Sequence, residues 1–220
     1  MPALLSSTAP RRRFLAYKVL CALVATTLQS SLYFWTGGQP LPRSVDLLRT
    51  RLDDLIPFWP RTAWLYLPVY FLIFVVAVVG FRTRRHFDRA LVAFACNVVI
   101  GAAGHLLVGA EYPRPVLHPP FSGPSELFLA WVQSVDPPGN VFPSLHVAHS
   151  SALALILHHE NPRLGRVVIG LALVLALSTL TTKQHFIADV ISGFVMAGLA
   201  RWLLMRGVPT EDPTVRVGRS

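Results

Sequence analysis

Residues 164–180 read LGRVVIGLALVLALSTL, and residues 181–189 continue TTKQHFIAD. The first segment is a strongly apolar run and approaches the ~20 residues that a helix needs to cross a hydrocarbon core. The second sets Lys183, His185 and Asp189 at its end. Titratable groups delivered to the end of an apolar span point to a membrane protein with a polar site near one face. The rest of the 220-residue chain repeats the apolar theme. Residues 14–34, 62–81 (with 71–79 unbroken), 91–110 and 186–205 read as further spans, and 144–157 as a short one. We therefore expect an all-α integral membrane protein: six transmembrane helices in a bundle spanning residues 1–206. Residues 207–220 are polar, carry two prolines and are expected to form a disordered cytoplasmic tail.

Composition agrees with this class. Hydrophobic residues make up 53% of the chain and charged residues 14%, against about 25% charged in soluble domains. This excludes a soluble globular enzyme and a disordered chain. The net charge of +9 comes from 18 arginines and 2 lysines. The arginines lie between apolar runs and not on one basic face, so the expected partner is the lipid bilayer and not nucleic acid. Cys21 and Cys96 sit inside apolar runs and read as packing residues, with neither a disulfide nor a metal site expected. The first run has the basic start of a signal peptide. Its apolar part is too long for a signal core and no A-x-A site follows, so it reads as a retained helix.

Arginine placement gives an orientation. Arg11–Arg13 precede the first span. Arg82, Arg84, Arg85 and Arg89 lie between the second and third, Arg163 and Arg166 between the fourth and fifth, and Arg206, Arg216 and Arg219 after the sixth. Six spans place all four clusters on one side, which basic-residue bias identifies as cytoplasmic, with both termini. Residues 39–61 are the exception. They hold Arg43, Arg49, Arg51 and Arg61, partly offset by Asp46, Asp53 and Asp54. The spacing of Val45, Leu48, Leu52, Leu55 and Ile56 predicts an amphipathic helix lying in the interface of the first outer loop. The second outer loop, 111–143, is rich in proline and glycine and has room for a short helix over 125–135 capped by Ser125.

On this plan three separate stretches bring polar groups to the extracytoplasmic face. His185 and Asp189 are four residues apart, within reach across one turn of helix. An aspartate bonded to one imidazole nitrogen fixes the tautomer and leaves the other as a lone-pair nucleophile; the competing reading is a pair buried only to satisfy each other. Thr181 and Gln184 match a capping box that would start the sixth helix there, with free N–H groups for an anion. In the stretch NVFPSLH (140–146), Ser144 is placed to cap the fourth helix and His146 falls in its first turn. A second histidine suits proton transfer to a leaving oxygen, or it is a polar residue facing the bundle interior. His149 reads as packing or support. Arg114, in the stiff Tyr112-Pro113-Arg114-Pro115 stretch, offers a fork for phosphate oxygens or forms a surface turn.

Taken together, these pieces resemble the type 2 phosphatidic acid phosphatase (PAP2) superfamily of membrane phosphatases and phosphotransferases. The resemblance rests on Arg114-Pro115, on Pro143-Ser144-Leu145-His146 and on His185 with Asp189, in that order. It covers roughly residues 98–198. Two positions depart from the family pattern. Leu107 stands where a lysine is usual, and Ser178-Thr179 where Ser-Arg is usual. The Thr-Lys-Gln-His-Phe wording looks closer to the inositol phosphorylceramide synthase-like branch, in which the acceptor is a lipid alcohol. The resemblance implies that His185 is the nucleophile, forming a phosphohistidine. Asp189 orients it, and His146 is the acid and then the base. Arg114, Lys183 and Ser144 hold the phosphate. It implies a membrane lipid phosphate as substrate; no cofactor is expected, and no metal, because the cluster has one carboxylate. A non-catalytic carrier or flippase for an anionic lipid is the competing class.

Overall fold

Thr83, Ser144 and Asn161 each precede an apolar stretch, and each folds its side-chain oxygen back onto a backbone N–H. The acceptors serve His86 (3.4 Å), Val147 (3.5 Å) and Leu164 (3.4 Å), two or three residues into the helix. These caps fix three helix starts. A computed structural model describes residues 8–208. Among them lie α1 (Thr8–Gly37), α2 (Arg51–Leu55), α3 (Ala63–Gly80), α4 (Arg84–Leu107), α5 (Pro124–Val135), α6 (Leu145–Glu160), α7 (Pro162–Thr181) and α8 (Ile187–Met205). No strand forms among the described residues; Ser44 makes one isolated parallel bridge with Ala110.

Among the described residues five helices, α1, α3, α4, α7 and α8, are long and apolar enough to cross a membrane. Large apolar side chains such as Leu28, Phe71, Val99, Leu177 and Val195 point outward from them. A surface this apolar marks a membrane protein. The stretch expected as the fourth span is α6, whose 16 residues reach roughly 24 Å at 1.5 Å per residue. That is shorter than a hydrocarbon core of about 30 Å, and α6 does not join the five. It is instead the central helix, packed on α3, α4, α7 and α8 and buried along nearly its whole length. Its hydropathy is modest because Ser150, Ser151 and His149 face other helices and not lipid. Gly193 of α8 and Gly165 of α7 permit this close packing. A Cβ on Gly193 would lie 2.8 Å from the Ser144 carbonyl oxygen, and one on Gly165 would lie 2.2 Å from His158 Cα.

The bundle has two chemically distinct ends. At the first, Tyr17 of α1 donates to Asp88 of α4 (2.7 Å), Lys18 donates to the Phe81 carbonyl (2.8 Å), and the Thr83 N–H donates to Glu160 (2.6 Å). Arg82, Arg84, Arg85, Arg89, Arg163 and Arg166 belong to this end, as the arginine spacing predicts, and Arg206 follows α8 there. At the other, Tyr33 of α1 donates to Asp136 (2.5 Å) and the Ser144 N–H donates to the Asp189 carbonyl (3.2 Å). The tail expected from 207 onward, with Arg216 and Arg219, lies outside the described residues beyond Val208.

Two local expectations change. The amphipathic helix expected within 39–61 contracts to the five residues of α2. Pro40, Pro42 and Pro57 flank it, and the Ser44 N–H donates to the Gly109 carbonyl (2.8 Å) while the Glu111 N–H donates to the Ser44 carbonyl (3.1 Å). That pairing holds the chain extended ahead of the turn. The longer helix in the loops at this end is α5. It buries Leu129 and Val132 while Leu127, Trp131 and Val135 stay exposed, and its Phe128 stacks on Trp64 at 4.4 Å. Ser125 does not cap α5; Gly123 holds the cap position and Pro124 opens the helix, where a missing N–H costs nothing.

Candidate active site

The turn between α7 and α8 sets the site. Helix α7 runs through Thr181, and the Thr179 carbonyl then accepts the N–H groups of Gln184 (2.9 Å) and His185 (3.3 Å). Helix α8 therefore starts at Ile187, not at the expected Thr181–Gln184 box, and His185 stands just ahead of it. The capping acid is Asp189, whose Oδ2 accepts the Phe186 N–H (2.8 Å) and also His185 Nδ1 (3.1 Å). The expected His185–Asp189 pair is made across a helix start, not along a helix face. Both residues are buried. The pairing leaves His185 Nε2 as the free ring nitrogen.

The start of α6 docks on this turn. The Ser144 N–H donates to the Asp189 carbonyl (3.2 Å) while Ser144 Oγ caps α6. One residue into the helix, the His146 ring comes within 5.8 Å of the His185 ring, centroid to centroid. His146, His185, Asp189 and Ser144 are thus brought together. His149, one turn further on, accepts or donates at Nδ1 with Tyr70 (3.2 Å) and stacks on Phe94 at 4.1 Å. It is a packing residue behind His146.

The two expected phosphate-binding cations hold other partners. Arg114 forms a fork on Asp136, to the carboxylate at 2.5 Å and to the carbonyl at 2.6 Å. Lys183, at φ 57, donates to the Asp53 carbonyl at 2.9 Å. Burial lowers the Lys183 ammonium below its usual range, opposed by Asp53 and Asp54. It lines a separate cavity of about 290 Å³ with Arg49, Asp53 and Tyr112, where burial pushes the Tyr112 phenol up to about 12. The departing positions carry no hidden cation. Leu107 is 83% exposed at the end of α4, and Ser178 and Thr179 are buried with their hydroxyls bonded to carbonyls one turn back.

Sequence reasoning missed Asp53, Asp136 and Tyr66. Asp53 is buried, accepting the Ile187 N–H at Oδ1 (2.7 Å) and the Thr50 N–H at Oδ2 (2.8 Å). A carboxylate of the chain itself thereby fills part of the α8 start that the sequence offers to an anion. Its signal was the Thr50-Arg51-Leu52-Asp53 box, legible as a cap but not as a partner of a helix 134 residues away. Replacing Asp53 by alanine removes both acceptors from these part-buried donors, at a cost of about 1 kcal/mol. The expected result is a lower melting temperature in detergent, with Asp53→Asn intermediate because its single carbonyl oxygen serves only one of the two donors.

A cavity of about 420 Å³ reaches this site between α1, α3 and α5. Its wall is apolar, with Phe34, Leu67 and Trp131, and its polar corner holds Tyr66, Asp136 and His146. Among the described residues, no three His, Cys, Asp or Glu side chains converge as a metal site.

An uncharacterized protein of Methanocaldococcus jannaschii is 35% identical over 97 residues, covering 42% of this chain and 39% of that protein. The chain thus spans about two fifths of the length of this relative. No solved structure gives a significant match. The PAP2 superfamily model matches residues 89–213, which hold Arg114, Ser144, His146, His185 and Asp189. That is more than half of the chain, and the protein belongs to the PAP2 superfamily.

Proposed function

We propose that this membrane protein is a lipid-phosphate phosphohydrolase or phosphotransferase working through a phosphohistidine on His185. The superfamily's phosphatase and phosphotransferase chemistry supplies the reaction class. The observation that carries the reading is the pair of unlike histidines. His185 is bonded through Nδ1 to a buried carboxylate, and His146 lies 5.8 Å away at the head of an apolar cavity.

His185 Nε2 attacks phosphorus, and the N–P bond forms as the ester P–O bond breaks. Asp189 supports the positive charge that grows on the ring. His146 passes its proton to the departing alkoxide, then takes one from water or a second alcohol as the P–N bond breaks. Dividing the displacement in this way replaces one difficult step by two easier ones. Ser144 donates its hydroxyl proton to a phosphoryl oxygen, since only its lone pair is used by the cap. Arg114 is held by Asp136, whose carboxylate lines the cavity, so it grips a phosphoryl oxygen only by exchanging that partner for the substrate. Lys183 acts only at long range from Asp53.

The cavity wall suits the apolar chain of a lipid phosphate or diphosphate, with α6 as a sixth, lipid-shielded crossing. Arginine bias assigns the histidine end to the extracytoplasmic face and both termini to the cytoplasm. The Thr-Lys-Gln-His-Phe wording favours transfer to a lipid alcohol, as in the inositol phosphorylceramide synthase-like branch.

The test is to incubate purified protein with ³²P-labelled phosphatidic acid and polyprenyl diphosphate, quench in alkali, and map the label. An acid-labile, alkali-stable phosphopeptide containing His185 is expected. Turnover with no such adduct overturns the covalent mechanism, and lipid binding with neither turnover nor adduct returns the chain to a carrier role.

A further inference from the structure

Tyr66 lies in the first turns of α3, outside the residues matched to the superfamily, and is 1% exposed. Its hydroxyl lies 3.1 Å from His146 Nε2 and 3.3 Å from Nδ1. Among the described residues Tyr66 Oη has no other hydrogen-bond partner, and neither ring nitrogen of His146 has any partner but Tyr66. The His146 ring sits edge-on between two phenols, 4.9 Å from Tyr66 and 4.8 Å from Tyr70 by centroid. Tyr70 is in turn tied to His149. The ring is thus backed by aromatic groups on the α3 side while it faces His185.

The two histidines have partners of different chemistry. A carboxylate has only lone pairs to offer when ionised, so it favours a donor and a growing positive charge. A phenol both donates and accepts. We propose that Tyr66 is a positioning residue for His146, holding its ring at the leaving oxygen in both protonation states. This rests on the acid–base reading of His146 above. When His146 carries the extra proton, Tyr66 Oη accepts a ring N–H. Once that proton has gone to the leaving alkoxide, the O–H rotates and donates to a ring lone pair. The phenol keeps its own proton throughout, so the proton balance of both half-reactions is unchanged. A fixed carboxylate in this place would bias His146 toward its charged form and weaken it as an acid.

The experiment compares wild type, Tyr66→Phe and His146→Ala on phosphatidic acid in detergent micelles and on 4-nitrophenyl phosphate. Tyr66→Phe retains the ring and its packing. Its kcat on phosphatidic acid should fall about 10- to 100-fold, part of the 10²–10⁴ that acid–base help supplies, with KM within about twofold. On 4-nitrophenyl phosphate, whose leaving group hardly needs a proton, the loss should be severalfold smaller. A second reading needs no turnover: in ¹⁵N-histidine-labelled protein, Tyr66→Phe should change the His146 ring-nitrogen shifts and their pH midpoint. Equal losses on both substrates for Tyr66→Phe alone, or unmoved ring shifts, overturn the positioning role and leave His146 as the acid. Equal losses for His146→Ala as well overturn the acid role, and the proposal with it.

Discussion

Replacing His185 by alanine is expected to lower turnover of a lipid phosphate by on the order of 10⁶, the scale seen when one member of a nucleophile–base unit is removed. The phosphoenzyme should vanish entirely. The fold should survive, because the α8 start does not depend on the imidazole. Asp189 still accepts the Phe186 N–H, Asp53 still accepts the Ile187 N–H, and the Ser144 N–H still reaches the Asp189 carbonyl. The lost contact leaves a buried carboxylate one donor short, which costs about 1–3 kcal/mol. Unchanged elution on gel filtration and a modest fall in melting temperature would accompany the loss of activity. Turnover within tenfold of wild type would remove His185 from the chemistry.

Gly193→Ala should give the second large effect, and on both stability and rate. An alanine in the middle of a helix is ordinarily favoured over glycine by about 1 kcal/mol. Here the new methyl would meet the Ser144 carbonyl oxygen at 2.8 Å, Val147 Cβ at 2.9 Å and the Ala148 nitrogen at 3.1 Å. Two of these are backbone atoms of α6 and its Ser144 cap, so no side-chain rotation relieves them. The helices must part, at an overpacking cost of about 1–3 kcal/mol. The displaced element carries Ser144 and His146, while α8 carries Asp189 and follows His185. A shift of about 1 Å between reacting groups costs on the order of 10² in rate. A lower melting temperature together with a kcat loss of that order is expected. A stabilised and fully active variant would show that α6 and α8 tolerate separation.

What could be read from the chain follows from how local each feature is. Apolar runs of nearly 20 residues and the Ser144 cap are stated by consecutive residues, so most helix positions were legible. His185 and Asp189 were legible as a pair although the reason given for it was wrong: a helix face and a helix start both bring residues four apart together. The capping box at Thr181 failed because the Thr179 carbonyl captures two later N–H groups and extends the turn. Helix α6 is the shortest of the expected spans, and its hydropathy is modest because hydropathy measures affinity for lipid and its neighbours are helices. The partners of Arg114 and Lys183 were invisible. Asp136 and Asp53 are brought to them only by tertiary packing, and a cation written next to a candidate motif says nothing about which acceptor already holds it. Tyr66 carried no signal either, being one aromatic residue in an apolar helix.

The enclosure of α6 has a consequence for life in bilayers of different thickness. A helix that faces lipid must tilt, or deform the membrane around it, when its apolar length and the hydrocarbon layer disagree. Helices α1, α3, α4, α7 and α8 bear that adjustment at the perimeter. Helix α6, shielded by four of them, has no hydrophobic length of its own to match. Its depth is set by the bond from the Ser144 N–H to the Asp189 carbonyl and by the Gly193 contact. The spacing of the two histidines is therefore set by contacts inside the bundle and not by the thickness of the surrounding lipid.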